Sequence, residues 1–219
     1  MTETARPPLL IARKTIVDLA RPRTYNAAVA FDVALIIGGA AVITILSQTV
    51  LWPDLFGEPF NLQSLGVMLV AFILGRRRGA LSMALYIIEG VLGMPVFPEG
   101  QSGVNALIGR EYGYVVGYLL TVYVVGILAE HKWDRWPWTV GLGMVVAHTV
   151  TYSIVYVWLG VSYQSWAEAG YQFNVKHHMA GDLVRILIAM IVIPSLWWLV
   201  DKNRTRAETQ KSNRSKKAN

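Results

Sequence analysis

Residues 60–93 read FNLQSLGVMLVAFILGRRRGALSMALYIIEGVLG. Two apolar runs, about Phe60 to Gly75 and about Gly79 to Gly93, are separated only by Arg76-Arg77-Arg78. Each run is short against the roughly 20 residues that a perpendicular membrane helix needs. Packed against longer neighbours, or in a locally thinned bilayer, both still serve as spans. The three arginines then form an inner loop and anchor the topology, because cytoplasmic loops carry the excess of Lys and Arg. A lipid-headgroup or nucleotide site at the same arginines is the alternative.

Longer apolar stretches lie on either side: about Asn26 to Val50 before this segment, then about Gly113 to Glu130, Trp138 to Gly160 and Met179 to Val200. The expected fold is therefore all-α, a polytopic membrane protein of six transmembrane helices with both termini cytoplasmic. Residues 1–25 form a cytoplasmic arm, 26–200 the membrane domain, and 201–219 a basic cytoplasmic tail expected to be disordered. Composition agrees. Of 219 residues, 54% are hydrophobic and 16% charged, against about 25% charged in soluble domains. The absence of cysteine excludes disulfides, Cys-based zinc sites and thiol catalysis. The first 25 residues lack the sustained apolar core and small-residue cleavage site of a signal peptide.

The cations test this layout. Of 20 Lys and Arg, 17 fall in inner segments, only Arg110 and Lys176 fall in outer loops, and Arg185 lies inside a span. An odd number of spans would put one basic terminus outside. The net charge of +6 is thus a matter of membrane topology and not of nucleic-acid binding. The outer loops, roughly Leu51 to Pro59, Met94 to Tyr112 and Val161 to His178, hold Trp52, Tyr163, Trp166, Tyr171 and Phe173. These aromatics either cover a pocket open to the outside or belong to the interfacial belt.

Ionisable residues inside spans are costly and face a partner or a cavity. Asp182 and Arg185 share one face of the last span, either as a structural ion pair or as an anchor for a polar ligand. Glu89 joins that cluster or snorkels outward, and Asp32 reaches the inner surface or a polar neighbour. His148 is read as an interhelical hydrogen-bonding residue. Adjacent His177 and His178 point about 100° apart on a helix and do not clamp one metal. Asn26, Ala30, Ala34 and Gly38 form a small-residue stripe, suited to internal packing or to docking another protein.

The stretch Asn61 to Tyr118 resembles the BioY family, the biotin-binding S components of energy-coupling factor (ECF) transporters. The matching elements are Leu62-Gln63, Gly66, Leu74-Gly75 before basic residues, Gly79-Ala80, Tyr86, Gly90, Gly93, Pro95-Val96-Phe97, Gly100, Gly103, Gly109 and Gly113-Tyr114. Gly181-Asp182-Leu183 with Arg185 looks like the family's Gly-Asp-Leu-x-Lys element. The resemblance covers roughly residues 25–200. It implies six spans, a biotin site near the outer surface, and an Ala-x-x-x-Ala face, here Ala30 and Ala34, that contacts the transmembrane coupling protein. It also implies that Asp182 accepts from the ureido N–H groups, with Arg185 orienting that aspartate or pairing with a ligand anion. Gln101 is expected to reach the ureido ring, while Tyr114 and Gln63 line the pocket or pack beside it.

Three positions depart from the family pattern: Arg185 for lysine, Arg110-Glu111 for Pro and a small polar residue, and Glu89 for an apolar residue. The expected function is biotin capture outside the membrane, for uptake driven by a coupling protein and two ATPase subunits. No phosphate-cradling P-loop is present, so hydrolysis falls to those partners. No cofactor is implied. The alternatives are an S component for another vitamin, or a small intramembrane enzyme using Asp182 as acid or base.

Overall fold

The computed structural model describes residues 15–55, 58–107, 110–172 and 175–218; within these, the side chains of 52–55, 58–59, 107, 110–112, 171–172, 175–180 and 204–218 are left undescribed. Expectations placed on Gly109 and Phe173 fall outside the described residues. The chain is mostly helical. After a 3-10 turn, Ile16–Ala20, come α1 (Tyr25–Gln48), β1 (Val50–Leu55), β2 (Glu58–Asn61), α2 (Gln63–Val91), α3 (Arg110–Glu130), α4 (Pro137–Ser162), α5 (Trp166–Gln172) and α6 (Val175–Ala218).

The all-α expectation needs one correction. The connection after α1 is an antiparallel hairpin, with Val50 opposite Asn61, Trp52 opposite Phe60 and Leu55 opposite Glu58. Pro53 and Pro59 lack the N–H that a helix interior uses, so this short connection satisfies its backbone by irregular pairing instead. The register shifts twice within the hairpin.

The decisive segment is α2. Gly75 interrupts it at φ 78° and ψ 179°, a region open essentially to glycine alone. The chain doubles back there. Gln63 Nε2 donates to the Tyr86 hydroxyl over 3.0 Å, whereas 23 residues of straight helix would separate the two by about 35 Å. A Cβ on Gly79 would likewise lie 3.5 Å from the Ala71 Cα. Residues 63–74 and 76–91 are thus two limbs of a helical hairpin. At its bend, a Cβ on Gly126 of α3 would collide with the Arg76 backbone. Glu130 holds the same spot, accepting from the Arg76 N–H at 3.3 Å and facing Arg76 Nε at 3.3 Å.

Of Arg76–Arg78, read as a topology anchor, Arg78 also has partners within the chain. It is 2% exposed. Its guanidinium meets Asp18 and Asp32, each at 2.7 Å, and Arg21 meets Asp32 at 2.7 Å. Asp18 also accepts from the Thr15 N–H and hydroxyl. The arm is therefore fastened to α1 and α2 by buried charge pairing, and Asp32 has found its polar neighbours.

Among the described residues, four helices are long and apolar enough to cross a membrane: Tyr25–Gln48, Gly113–Glu130, Pro137–Ser162 and Gly181–Asn203. They expose many large apolar side chains, among them Val29, Ile37, Leu142 and Ile191, as a lipid-facing surface requires. Between α3 and α4, the Trp197 indole N–H donates to Asp134 at 2.6 Å and Arg135 stacks on the same ring. Burial pushes the Asp134 carboxyl up, against the opposing pull of Trp197 and Arg135. α6 runs through Pro194 and on to Ala218, and residues 201–218, rich in Lys and Arg and without Gly or Pro, contain no helix breaker.

Candidate functional site

Asp182 and Arg185 lie one turn apart on α6. The Arg185 Nη1 donates to Asp182 Oδ1 at 2.8 Å, and Asp182 is only 6% exposed. Two residues of α4, one turn apart, face the same carboxylate. The Tyr152 hydroxyl donates to Oδ2, and His148 Nε2 lies 3.1 Å from Oδ1. Burying a charge is tolerated when it is paired and hydrogen-bonded, and here α4 and α6 supply the partners jointly. The other side of the Arg185 fork donates to the Asn61 carbonyl, from Nε at 3.2 Å and Nη2 at 2.7 Å, while the guanidinium stacks on Phe60 at 4.4 Å. The hairpin strand β2 thereby fixes the arginine that fixes the aspartate. Lysine, with one ammonium and no planar fork, could not make this set of contacts at once.

Of the other residues singled out from the sequence, Gln63 is adjacent through Asn61, whose side chain accepts from the Gln63 N–H at 3.2 Å. The Gln63 side chain itself is spent on Tyr86. Tyr114 is half-buried on α3, its ring 6.0 Å from that of Tyr118, and both hydroxyls stand near Tyr152. Gln101 is exposed. Its loop is held by α1 over the end of the α2 limbs remote from Gly75: the Ser47 hydroxyl donates to the Val96 carbonyl at 2.7 Å, and Gln48 bonds the Pro95 carbonyl and the Gly100 N–H, each at 3.1 Å. Phe97 packs on Gly90, where a Cβ would collide with its ring, and meets Tyr86 edge-on at 5.5 Å. Among the described contacts, none joins Gln101 or the half-buried Glu89 to Asp182.

Ala30, Ala34 and Gly38 are exposed together with Asn26, and a Cβ on Gly38 would meet nothing within 4 Å. The small-residue stripe is thus not used for packing within the chain. The side chains of Arg110, Glu111, His177 and His178 are outside the described set. Tyr152, Asn61 and Phe60 escaped the sequence reading. For Tyr152 a signal existed, since His148 and Tyr152 are spaced to share one helix face. Nothing in the sequence foretells the Asn61 carbonyl as an arginine acceptor.

A model of the BioY family matches residues 19–202. The biotin transporter BioY of Thermotoga maritima is 38% identical over 94 residues, 41% of this chain and 55% of that protein. The biotin transporter BioY of Rhodobacter capsulatus is 38% identical over 91 residues, 42% of this chain and 48% of that protein. The chain spans about half the length of the curated relatives it matches. Among solved structures, the S-component for biotin from an ECF-type ABC transporter has a TM-score of 0.66 at 22% identity, covering 80% of this chain and 94% of that one. That likeness is one of fold.

Proposed function

The chain belongs to the BioY family, and from that footing we propose that it is a membrane substrate-binding component which captures biotin on the outer side. Uptake is then driven by an ECF coupling protein with two ATPase subunits. The observation that carries this is the buried Asp182 carboxylate, oriented by Arg185, Tyr152 and His148. Biotin's ureido ring offers two N–H donors and one carbonyl acceptor, and an ionised carboxylate, which only accepts, suits the donors. Tyr114 connects to that carboxylate through Tyr152 and Gln63 through Asn61 and Arg185, and we assign both, with Gln101 on the loop held by α1, to the pocket.

The membrane layout supports the same reading. The limbs of α2 add two crossings to the four long helices, making six, and the bend at Gly75 sits with Arg76–Arg78 on the inner side. Exposed Trp136, Trp138 and Trp198, the last under Lys202 at 4.4 Å, mark the inner interface. Both ends are then cytoplasmic. The exposed Ala30 and Ala34 leave room for a close helix–helix approach by the coupling protein.

The test is binding without chemistry. Labelled biotin should be retained by the purified chain and recovered unchanged. Recovery of a converted product would favour an intramembrane enzyme, and retention of a different vitamin in preference to biotin would move the protein to another S-component specificity.

A further inference from the structure

His148 is 8% exposed on α4. Its Nδ1 lies 2.8 Å from the Met144 carbonyl, which can only accept, so Nδ1 carries a proton. Its Nε2 lies 3.1 Å from Asp182 Oδ1, yet the approach is oblique and Nε2 has no in-line hydrogen-bond partner among the described residues. An unprotonated Nε2 would set its lone pair against a carboxylate oxygen. A protonated one is attracted to that oxygen and remains a donor without an aligned acceptor, inside the site.

We propose that His148 is a specificity-determining residue, whose protonated Nε2 donates to the ureido carbonyl while Asp182 accepts the adjacent ureido N–H. A cyclic urea places its N–H and C=O on one edge, and a donor and an acceptor 3.1 Å apart match that edge. The assignment rests on Asp182 being the ureido acceptor. The groups facing His148 are Asp182 and Arg185 from α6 and Tyr152 on its own helix, with Tyr114 and Tyr118 of α3 beside Tyr152. From β2 come Asn61 and Phe60 under Arg185. Glu168 of α5 is exposed, and α5 packs through Ala169 on Val155 and Leu159, further along α4. Lys176, His177 and His178 open α6, with side chains outside the described set.

The probes are biotin and 2-iminobiotin, in which an imine replaces the ureido carbonyl, titrated into the full chain in detergent. His148→Leu should lose about tenfold or more in biotin affinity and narrow the preference for biotin over 2-iminobiotin. His148→Gln, which keeps a donor, should recover much of both. An unchanged preference in a folded His148→Leu overturns the proposal. So does a folded His148→Gln in which affinity and preference stay as low as in His148→Leu. If Asp182→Asn binds biotin undiminished, the underlying site assignment fails instead; if Asp182→Asn is weakened and His148→Leu is not, only the histidine is excluded.

Discussion

Gln63 and Tyr86 stand 23 residues apart in the chain and share a hydrogen bond, the Gln63 side-chain N–H donating to the Tyr86 hydroxyl over 3.0 Å. Both are buried. The bond ties the two α2 limbs at their open end, and Gly75 closes them at the other. Tyr86→Phe leaves a buried amide donor without its acceptor, which costs about 1–3 kcal/mol. Gly75→Ala should cost more, because it meets a forbidden backbone conformation and a contact 2.9 Å from the Thr15 methyl. Thermal unfolding in detergent ranks the two variants; equal stability of Gly75→Ala and wild type would contradict the bend.

Arg78 carries the second prediction. Asp18 and Asp32 flank one guanidinium that is almost wholly buried. Arg78→Ala leaves the buried Asp18 with only its Thr15 donors and Asp32 with Arg21 alone among the described contacts, and breaking a buried pair costs about 3–5 kcal/mol. A triple variant, Arg78→Met with Asp18→Asn and Asp32→Asn, should regain most of the lost stability. Yield of folded protein and its unfolding temperature check this. A harmless Arg78→Ala would leave the arginine as a mere topology anchor.

These contacts mark how far the sequence could be read. Apolar length and cation placement located the four long helices, and the arginine run between two short apolar segments marked the bend of α2, because hydrophobic periodicity and loop charge are local properties. The spacing of Asp182 and Arg185 gave their shared face for the same reason. The role of Asp18 in the arm, the approach of His148 and Tyr152 to Asp182, and the Asn61 carbonyl under Arg185 depend on which helices become neighbours. No window along the chain encodes that. The outer hairpin escaped because two prolines in a short connection read as a loop, with its pairing set by the ends of α1 and α2.

The stripe on α1 gives a third expectation. Ala30 and Ala34 face outward, so Leu at either position fits within the chain but blocks the close approach of another helix. Co-purification with the coupling module should fall in Ala30→Leu and Ala34→Leu, while biotin binding by the isolated chain stays nearly unchanged. Undiminished complex formation in both variants would remove the stripe from the interface.

Topology can be tested directly, because the chain has no cysteine. A cysteine placed at Ser102 should react with an impermeant thiol reagent added outside intact cells, and one at Ser212 should not. Labelling of both from outside would refute six crossings with both ends in the cytoplasm.

The central claim is that Asp182 holds biotin. Asn at that position keeps the size of the side chain, loses its charge and can turn a donor toward the ureido N–H. A hydrogen bond to a charged group contributes about 1.5–3 kcal/mol, and tenfold in affinity is about 1.4 kcal/mol. Calorimetric titration of biotin into purified wild-type and Asp182→Asn protein, with circular dichroism confirming that both are folded, should show affinity weakened by roughly ten- to a hundredfold. Equal affinity in the two proteins, or no measurable binding by the wild type, would contradict it.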